Sequence, residues 1–515
     1  MSKPRSPEDP IATLLEMVHA LREDSLHQTQ LLQQIMASLP QEQDVKDKIA
    51  VESLSAWQPV VDDREVTESF LAPNNLQKIK EHSVGSQDIV ARLKKMGLGQ
   101  FYIKHIKPIP PAKKIVIFTW RMLYKSYANY LITHSTTKNI RRWRTLIKLN
   151  DYVKEKGIST IILLEAVHIK TPAPKVSPAE GQSYLLSPHD DYTFPPVYVA
   201  TVSDSLVYGG TNLIFTEDSV ICHDLYDFER DFTSEELHGR HFIDPEKMRM
   251  RLLCDDIAPE QVPIAAIFTD ACASNYSHWL TEVLPRIAAF CSDKQFENIP
   301  IIVNDGLHHN IMASLILITG LEREIIALPV GRAIQVESLY ITSVAGYVPF
   351  ERRNNKLIDH SHGLFSSSAF DLIRERILTY VDQLPLQDWP EKIYLRRNAV
   401  IRKVINSVEL EQLLVDQGYS IVEPEKLTFL EQVMLFSKAK KIIGSSGAAL
   451  ANIVFASPNT HIQIIIGKYP NTSYWYWQNM ACASKNNVSY TLCDINNKLD
   501  SIHSSFEINT DFLRD

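Results

Sequence analysis

The chain has 515 residues, of which 45% are hydrophobic and 22% charged, which suits a globular protein of two or three domains. Its net charge of −8 is mild, and six cysteines without a C-x-x-C spacing argue against a zinc site or a disulfide framework. The N-terminal residues show no secretory signal, and no apolar run reaches the roughly 18 residues of a membrane-spanning helix. We therefore expect a cytoplasmic protein with free thiols.

Residues 1–40 carry a helical pattern. Apolar residues recur at heptad spacing from Ile11 to Leu39, interrupted by one polar step, and a proline ends the pattern. This spacing is typical of a short coiled coil, which would make the protein a homo-oligomer, although an amphipathic helix docked on its own domain has the same pattern. Residues 41–88 are polar with few aromatics and are interpreted as a linker.

Residues 89–175 are predicted to form a basic, aromatic-rich helical region. Between residues 89 and 150 there are 14 Lys and Arg and no Asp or Glu, and aromatics such as Phe118 and Trp143 are interleaved with the cations. Such runs favour contact with an anionic membrane surface, where each cation contributes about 1 kcal/mol. A basic face neutralised elsewhere in the protein is an equally weighted alternative. A nucleic-acid backbone fits the composition less well, and we expect no nucleic-acid partner.

The remainder of the chain has the pattern of an α/β protein. Short β-type runs after Val197 predict a β meander. From Lys392 the order is strand, helix, strand, helix, strand, helix, and Thr428 with Glu431 forms a capping box for the second helix. This order predicts a parallel sheet with right-handed crossovers, whose ligands lie beyond the carboxyl ends of the strands.

The first candidate cluster is a polar stripe on a predicted helix. Its members are spaced by three, four and four residues and are Asn275, His278, Glu282 and Arg286. An imidazole, a carboxylate and a guanidinium on one face can perform acid–base and anion-binding work. The spacing alone favours the simpler interpretation of a solvated face with a Glu282–Arg286 ion pair, and Pro285 is expected to weaken the helix.

The second candidate cluster is basic and follows the strand-like run at 393–395. It consists of Arg396, Arg397, Arg402 and Lys403, before a helix that Asn406 and Ser407 can cap. Guanidinium groups suit bidentate contacts with phosphate oxygens. A basic surface loop explains the pattern equally well.

The third candidate is a strand-to-helix turn of small residues. Its sequence is Gly444, Ser445, Ser446, Gly447 and Ala448. Small residues at such a turn let backbone amides and a helix N-terminus approach an anion, although neither the dinucleotide nor the Walker fingerprint is present. A close-packed turn without a ligand is also common.

Together these stretches resemble a known family. NYSHWLTEVLPRI, IYLRRNAVIRKVIN, LTFLEQVMLFSKAKKIIGSSGAALANIVF and YWYWQNMACASKNNVSYTLCDI are similar, in this order, to glycosyltransferase family 61 over roughly residues 195–495. The resemblance implies an inverting enzyme of the GT-B type, with two Rossmann-like domains facing across a cleft. We expect the acceptor-side domain at 176–350 and the nucleotide-sugar-binding domain at 351–515.

The resemblance also implies a reaction. We expect transfer of a sugar from a nucleotide-sugar, UDP-linked, to a hydroxyl of a glycan or lipid-linked saccharide in surface-polysaccharide biosynthesis, by an enzyme peripheral on the inner face of the membrane. A non-catalytic scaffold or nucleotide-sugar sensor is the alternative. No cofactor and no metal are expected, because cations can replace a divalent metal at the leaving diphosphate.

The resemblance assigns roles to the candidate residues. Those expected to bind the donor are Arg396, Arg397 and Arg402 at the diphosphate, Asn406 in the loop, and Gly444, Ser445, Ser446, Gly447 and Ala448 at the nucleotide-side turn. Those expected to face the cleft are Asn275, His278, Glu282 and Arg286. Glu282 is the expected base, with His278 as the alternative base or as a group that orients the acceptor. The family usually reads Gly-Pro-His-Gly-Ala at the turn, so Ser446 replaces the histidine that contacts the donor.

Overall fold

The computed structural model describes only part of the chain. The described residues are 76–78, individual helical positions between 115 and 134, 141–184, 191–228, 231–232, 241–252, 259–349, 351–352, 363–384, 388–398, 402–468, 475–495 and 505–513. All of them belong to one compact unit, Asp62–Asp515. The predicted N-terminal helix and most of the predicted linker lie outside the described residues.

A larger sheet, with twelve strands among the described residues, combines a parallel and a mainly antiparallel part. The parallel part consists, in sheet order, of Leu76–Lys78, Ile325–Leu328, Ile301–Asn304, Glu260–Ile267 and Ala333–Thr342. The sheet continues with Val197–Tyr208, Ile214–Phe215, Ser219–Cys222, Arg144–Lys148, Arg249–Leu252 and His241–Asp244, and Thr160–Leu164 pairs with the first of these. The central parallel strands are apolar on both faces, as expected of strands covered on both sides.

Several sequence predictions for this sheet need correction. The β meander is present, but its first two runs form one strand of 12 residues, Val197–Tyr208. Leu76–Lys78 is a strand within the predicted linker. Arg144–Lys148 and Thr160–Leu164 are strands within the region predicted to be helical, because their β-branched residues suit a pleated surface.

The smaller sheet has the parallel order predicted from the sequence. Its strands are Ser420–Val422, Lys392–Leu395, Lys441–Ser445, His461–Gly467, Asn487–Ile495 and Phe506–Glu507, and Lys175–Ser177 also pairs with Asn487–Ile495. The first five are parallel. The predicted helices Ser407–Asp416 and Phe429–Lys438 are present, and the capping box of Thr428 and Glu431 is confirmed. The predicted third helix is a 3₁₀-helix, Ala448–Phe455.

The other described elements connect or cover the two sheets. The remaining α-helices are Leu149–Lys156, Tyr276–His278, Leu284–Phe290, His309–Thr319, Ser367–Val381 and Trp475–Ala483. Short 3₁₀ turns are Ala179–Tyr184, Lys294–Phe296, Pro424–Lys426 and Thr510–Leu513. Two-stranded pairs are Asp231–Phe232 with Glu351–Arg352, Gly346–Tyr347 with Leu364–Phe365, and Val167–Ile169 with Tyr192–Phe194. No helix in the described stretches is long and apolar enough to cross a membrane.

One apolar core reaches both sheets. It contains Phe268 and Ile301 from the side of the larger sheet and Ile393 and Ile442 from the smaller sheet, all fully buried. The helices Leu284–Phe290 and Ser367–Val381 pack on each other within it. This core holds residues that are far apart in sequence in fixed positions. The arrangement of two facing Rossmann-like domains, as in the GT-B type, stays a prediction.

Candidate active site

The first candidate cluster lies on a helical segment that contains a π-helical turn, Trp279–Val283. In this turn the amide of Leu284 donates to the carbonyl of Trp279, five residues earlier. Pro285 follows in the first turn of the resumed α-helix. Because proline has no N–H for the carbonyl of Thr281, a regular helix would leave that acceptor without its bond, and the π turn accommodates the proline. Such turns occur frequently at functional sites.

Buried contacts hold the π turn in place. The indole of Trp279 is fully buried, and its Nε1 donates to Oγ of Ser314 at 2.8 Å. A Cβ built on Gly346 would lie 1.9 Å from the carbonyl oxygen of Thr281, so only glycine fits beside the turn. The apolar stripe opposite the polar one is buried as predicted, and its members are Leu280, Val283, Leu284, Ile287 and Phe290.

His278 and Glu282 form a hydrogen-bonded pair through Nδ1 and Oε2. The second carboxylate oxygen of Glu282 accepts the backbone N–H of Val348 at 2.7 Å. The exposed fraction of the side chain is 19% for His278 and 12% for Glu282. Both oxygens of Glu282 therefore accept hydrogen bonds from the protein, whereas Nε2 of His278 is the ring nitrogen that Glu282 does not engage.

Burial and proximity shift both pKa values of this pair. Burial raises the pKa of Glu282, and the nearby imidazole only partly offsets this effect. Burial by itself lowers the pKa of His278, but the charge of Glu282 and their hydrogen bond outweigh it and raise the pKa above its ordinary value of 6.5. A hydrogen-bonded imidazole–carboxylate pair of this kind can take up and hand on a proton, which suits general acid–base work.

Arg286 does not pair with the carboxylate of Glu282. Its Nε donates to the backbone carbonyl of Glu282 at 3.1 Å, and its Nη2 lies 3.8 Å from Oδ2 of Asp270. The same Oδ2 accepts the side-chain amide of Asn212 at 2.9 Å. Asp270 was not predicted as a site residue, although it follows the parallel strand Glu260–Ile267 at its carboxyl end, where ligand-binding residues are expected.

A single cavity of about 100 Å³ brings these side chains together. Its polar lining includes His278, Glu282, Arg286, Asp270 and His223. The interpretation of this stripe as a solvated surface with a Glu282–Arg286 ion pair is therefore wrong. At roughly 10–15 Å³ per water molecule, the cavity holds several waters but not an oligosaccharide.

Asn275 has a different role from the other members of the predicted stripe. It is exposed and caps the helix, because its Oδ1 accepts the backbone N–H of Ser277 at 3.0 Å. It does not line the cavity that holds His278 and Glu282. The structure thus brings together three of the four predicted residues.

In the second cluster, Arg396 is engaged by carboxylates of the protein itself. Its Nε donates to Oε1 of Glu411 at 2.8 Å, its Nη2 contacts Oε2 of the same residue, and its Nη1 lies 3.5 Å from Glu423. Because Glu411 follows Arg396 by 15 residues on another element, the sequence pattern did not indicate this pairing. The predicted contact between Arg396 and a diphosphate stays a prediction.

Arg397 and Arg402 lie at the turn of small residues. A Cβ built on Gly447 would lie 2.1 Å from Nη1 of Arg397, so the guanidinium covers this glycine. Nη1 of Arg402 donates to Oγ of Ser446 at 3.3 Å. Burial, followed by the charge of Arg402, lowers the pKa of Arg397 to about 10. Two guanidinium groups this close to one turn suit an anion with several oxygens, such as a diphosphate.

The two serines of the turn differ in their contacts. Oγ of Ser446 also accepts Nε1 of Trp477 at 3.0 Å. Oγ of Ser445 is buried and has no hydrogen-bond partner among the described residues. Gly444 is closely packed, because a Cβ there would lie 3.2 Å from Leu395, and Ala448 is exposed at the start of the 3₁₀-helix. Of the two hydroxyls of this turn, that of Ser445 is therefore the one without a hydrogen-bond partner among the described residues.

Asn406 joins its loop to the C-terminal segment. Its Nδ2 donates to the carbonyl of Ile508 at 2.8 Å, and its Oδ1 accepts the N–H of the same residue at 3.0 Å. Its side chain makes no capping bond to the helix Ser407–Asp416. Asn406 therefore occupies the N-cap position, as predicted, but without a side-chain capping bond, and its place in holding the loop agrees with the implied role.

Two hydrogen bonds connect the acid–base pair to the small-residue turn. The hydroxyl of Tyr276 donates to Oδ1 of Asn452 in the 3₁₀-helix at 2.7 Å, and Ser277 contacts the hydroxyl of Tyr476, next to Trp477. A buried imidazole–carboxylate pair is thus tied to a cationic turn at the carboxyl end of a parallel sheet. This arrangement suits a class of α/β enzymes that combine acid–base chemistry with the binding of an anionic, phosphate-bearing ligand.

Comparison with known families agrees with this class. The model of the glycosyltransferase 61 family matches residues 276–463, and this match supports glycosyltransferase family 61 for that segment of the chain. The matched segment includes His278, Glu282, Arg397, Arg402 and the small-residue turn, and the family supports a glycosyltransferase that uses a sugar donor and an acceptor. No curated protein matches the chain.

Some residues of the cavity lie outside the matched segment. Asp270 and His223 precede this segment. Val348 lies within it but contributes its backbone N–H to the site rather than its side chain. The end of a parallel strand could have indicated Asp270, but no pattern in the sequence distinguishes His223 or Val348. Long-range packing alone brings these two to the site.

Proposed function

We propose that the protein is an inverting, metal-independent glycosyltransferase. It transfers a sugar from a UDP-linked donor to a hydroxyl of a glycan or lipid-linked saccharide during surface-polysaccharide biosynthesis. The observation that carries this proposal is the hydrogen-bonded His278–Glu282 pair, which is buried in a cavity and lies within the matched family segment. Such a pair can remove the proton of an acceptor hydroxyl.

In this proposal His278 is the base and Glu282 orients it. Both oxygens of Glu282 already accept hydrogen bonds, from His278 and from the backbone of Val348, which favours His278 over the carboxylate as the proton acceptor. The acceptor oxygen attacks the anomeric carbon while the bond from that carbon to the nucleotide diphosphate breaks on the opposite face. Nε2 of His278 takes the hydroxyl proton, and Glu282 stabilises the imidazolium that forms.

The leaving diphosphate is assigned to the turn of the smaller sheet. Arg397 and Arg402 stabilise the negative charge that develops on the phosphate oxygens, and the buried hydroxyl of Ser445 donates a further hydrogen bond. Arg396 supports the loop through Glu411 rather than the phosphate. Cations and a hydroxyl at this position supply the stabilisation that a divalent metal supplies in other transferases.

The proposal includes a cytoplasmic location at an anionic membrane surface. Among the described helical positions of the basic region, Ile115, Phe118 and Met122 expose 65%, 65% and 57% of their surface. Exposed apolar side chains with basic neighbours suit an interfacial helix. Phe118→Asp is expected to reduce co-sedimentation of the protein with anionic vesicles. Equal binding of the wild type to anionic and zwitterionic vesicles would contradict the proposed membrane contact. Oligomer formation through residues 1–40 stays a prediction.

Donor hydrolysis and transfer across a panel of nucleotide-sugars test the function. We expect slow hydrolysis of one donor by the wild type, faster turnover with an acceptor, and no effect of a metal chelator. His278→Ala should lower transfer on the order of a thousandfold while leaving UDP affinity unchanged. Wild-type turnover in this variant would exclude His278 as the base, and UDP binding without turnover of any donor would support a sensor instead.

A further inference from the structure

His223 lines the same cavity as His278 and Glu282 but has no role in the proposed chemistry. It follows the strand Ser219–Cys222 of the larger sheet, in a part of the chain that the family match does not include. Its Nδ1 is buried and has no hydrogen-bond partner in the described residues. A buried polar atom without a partner is unfavourable, and a bound ligand that supplies the missing hydrogen bond removes this cost.

The surroundings of His223 keep it neutral and aromatic. Its ring centroid lies 4.3 Å from that of Tyr347 and 5.8 Å from that of Tyr226. Burial lowers its pKa to about 3, with a smaller opposing effect of Asp270 and a smaller reinforcing effect of Arg286. The imidazole therefore carries no charge near neutral pH and offers one hydrogen-bonding nitrogen beside two aromatic rings. Apolar ring faces beside a single polar group fit a sugar, whose C–H faces are apolar and whose hydroxyls both donate and accept.

The charges around the cavity disfavour an acidic sugar. Asp270 and Glu282 place two carboxylates at the cavity, and the guanidinium of Arg286 is directed to Asp270 at 3.8 Å. A uronate at His223 would meet a neutral imidazole, the carboxylate of Asp270 and a guanidinium that is already directed to Asp270, while His278 is bonded to Glu282. The volume of about 100 Å³ is below the roughly 300 Å³ of a usual ligand pocket, so the cavity admits one edge of a single ring.

We propose that His223, Tyr226 and Tyr347 form a subsite for an uncharged sugar ring of the acceptor, with Nδ1 of His223 bonded to one ring hydroxyl. This inference rests on the proposed function, because it assigns to the cavity the acceptor whose proton His278 removes. His223 binds and positions this ring and takes no part in proton transfer. The diphosphate of the donor is assigned to a different set of residues, the arginines at the turn of the smaller sheet.

Two substitutions separate the hydrogen bond from the aromatic packing. His223→Phe keeps an aromatic ring beside Tyr347 but removes the nitrogen, whereas His223→Asn places an amide group near the position of Nδ1 and removes the ring. His309→Phe makes the same chemical change at an exposed helix position outside the cavity and is the matched control. Thermal unfolding of all three variants monitors the fold.

Calorimetric titration with p-nitrophenyl glycosides of neutral hexoses, pentoses and uronic acids, in the presence of UDP, tests the subsite. We expect the wild type to bind a neutral glycoside more tightly than the uronic acids. His223→Phe should weaken this binding about tenfold, which is about 1.4 kcal/mol, and His223→Asn should recover part of it. The control should bind as the wild type does.

Three results would overturn the subsite: no binding of any neutral glycoside, a preference for the uronic acids, or unchanged affinity in His223→Phe. Equal destabilisation of both variants with unchanged affinity would show a purely structural role. Donor hydrolysis by the wild type, measured without acceptor, keeps the two proposals separate. Donor hydrolysis without glycoside binding would contradict only the proposed subsite. Glycoside binding without hydrolysis or transfer would contradict the proposed reaction.

Discussion

The hydroxyl of Tyr276 donates a 2.7 Å hydrogen bond to Oδ1 of Asn452. Asn452 is fully buried and also donates through Nδ2 to Gln432 at 2.7 Å. Tyr276 lies two residues before His278, and Asn452 lies in the 3₁₀-helix that follows the small-residue turn. Together with the contact between Ser277 and Tyr476, this bond fixes the acid–base pair relative to the turn assigned to the diphosphate.

Removal of this bond should destabilise the protein and disturb catalysis more than donor binding. Tyr276→Phe preserves most of the volume but leaves Oδ1 of Asn452 buried without its donor, which costs about 1–3 kcal/mol. We expect a lower midpoint of urea unfolding with an unchanged slope, a reduced kcat and near-normal UDP affinity. Tyr380→Phe, at a position that is 40% exposed, is the control. Equal unfolding midpoints for both variants would show that the bond does not contribute to the stability of the protein.

The pH profile of kcat/KM reports the coupling between His278 and Glu282. As the base, His278 must be neutral, so activity should rise with pH through a pKa above the ordinary value of 6.5. Glu282→Gln removes the largest effect that raises this pKa, so that burial, opposed only by the smaller effect of Asp270, lowers it. The acid limb of the profile should therefore move to lower pH, while the maximal rate falls on the order of a hundredfold.

Two outcomes of this experiment would contradict the assignment. An acid limb at the same pH in Glu282→Gln would mean that another group titrates, and a wild-type maximal rate would mean that the carboxylate has no role. UDP affinity, measured at each pH, serves as the control, because neither residue is assigned to the diphosphate.

The three arginines should separate into two functional groups. Arg402→Ala and Arg397→Ala each remove a cation from the turn, and the loss of a charge-assisted contact of about 1.5–3 kcal/mol should weaken UDP binding about tenfold to a hundredfold. Arg396→Ala releases Glu411 and Glu423 and should lower stability with a smaller effect on affinity. Calorimetric titration with UDP measures all three. If Arg396→Ala weakened UDP binding more than Arg397→Ala and Arg402→Ala, Arg396 would be assigned to the phosphate site instead.

Local sequence patterns predicted the elements of the smaller sheet more accurately than they predicted the burial of the site residues. The capping box at Thr428 and the alternation of apolar runs depend on neighbouring residues, and these elements are present. The burial of His278 and Glu282 depends on Val348 and Gly346, more than sixty residues away, so spacing on one helix could not distinguish a cavity wall from a solvated face. The strands of the region predicted to be helical form because they pair with distant partners in the larger sheet.

Gly346 should tolerate no side chain, because its added Cβ would lie 1.9 Å from the carbonyl oxygen of Thr281. The carbonyl oxygen belongs to the π turn, so Gly346→Ala must displace either the strand Gly346–Tyr347 or the turn that carries Glu282. We expect a loss on the order of 3 kcal/mol in the free energy of unfolding and a large loss of transfer activity. Gly157→Ala, at a left-handed position with no atom within 4 Å, should cost only about 1 kcal/mol and leave activity unchanged. Similar unfolding midpoints for the two variants would show that the turn can move away from residue 346.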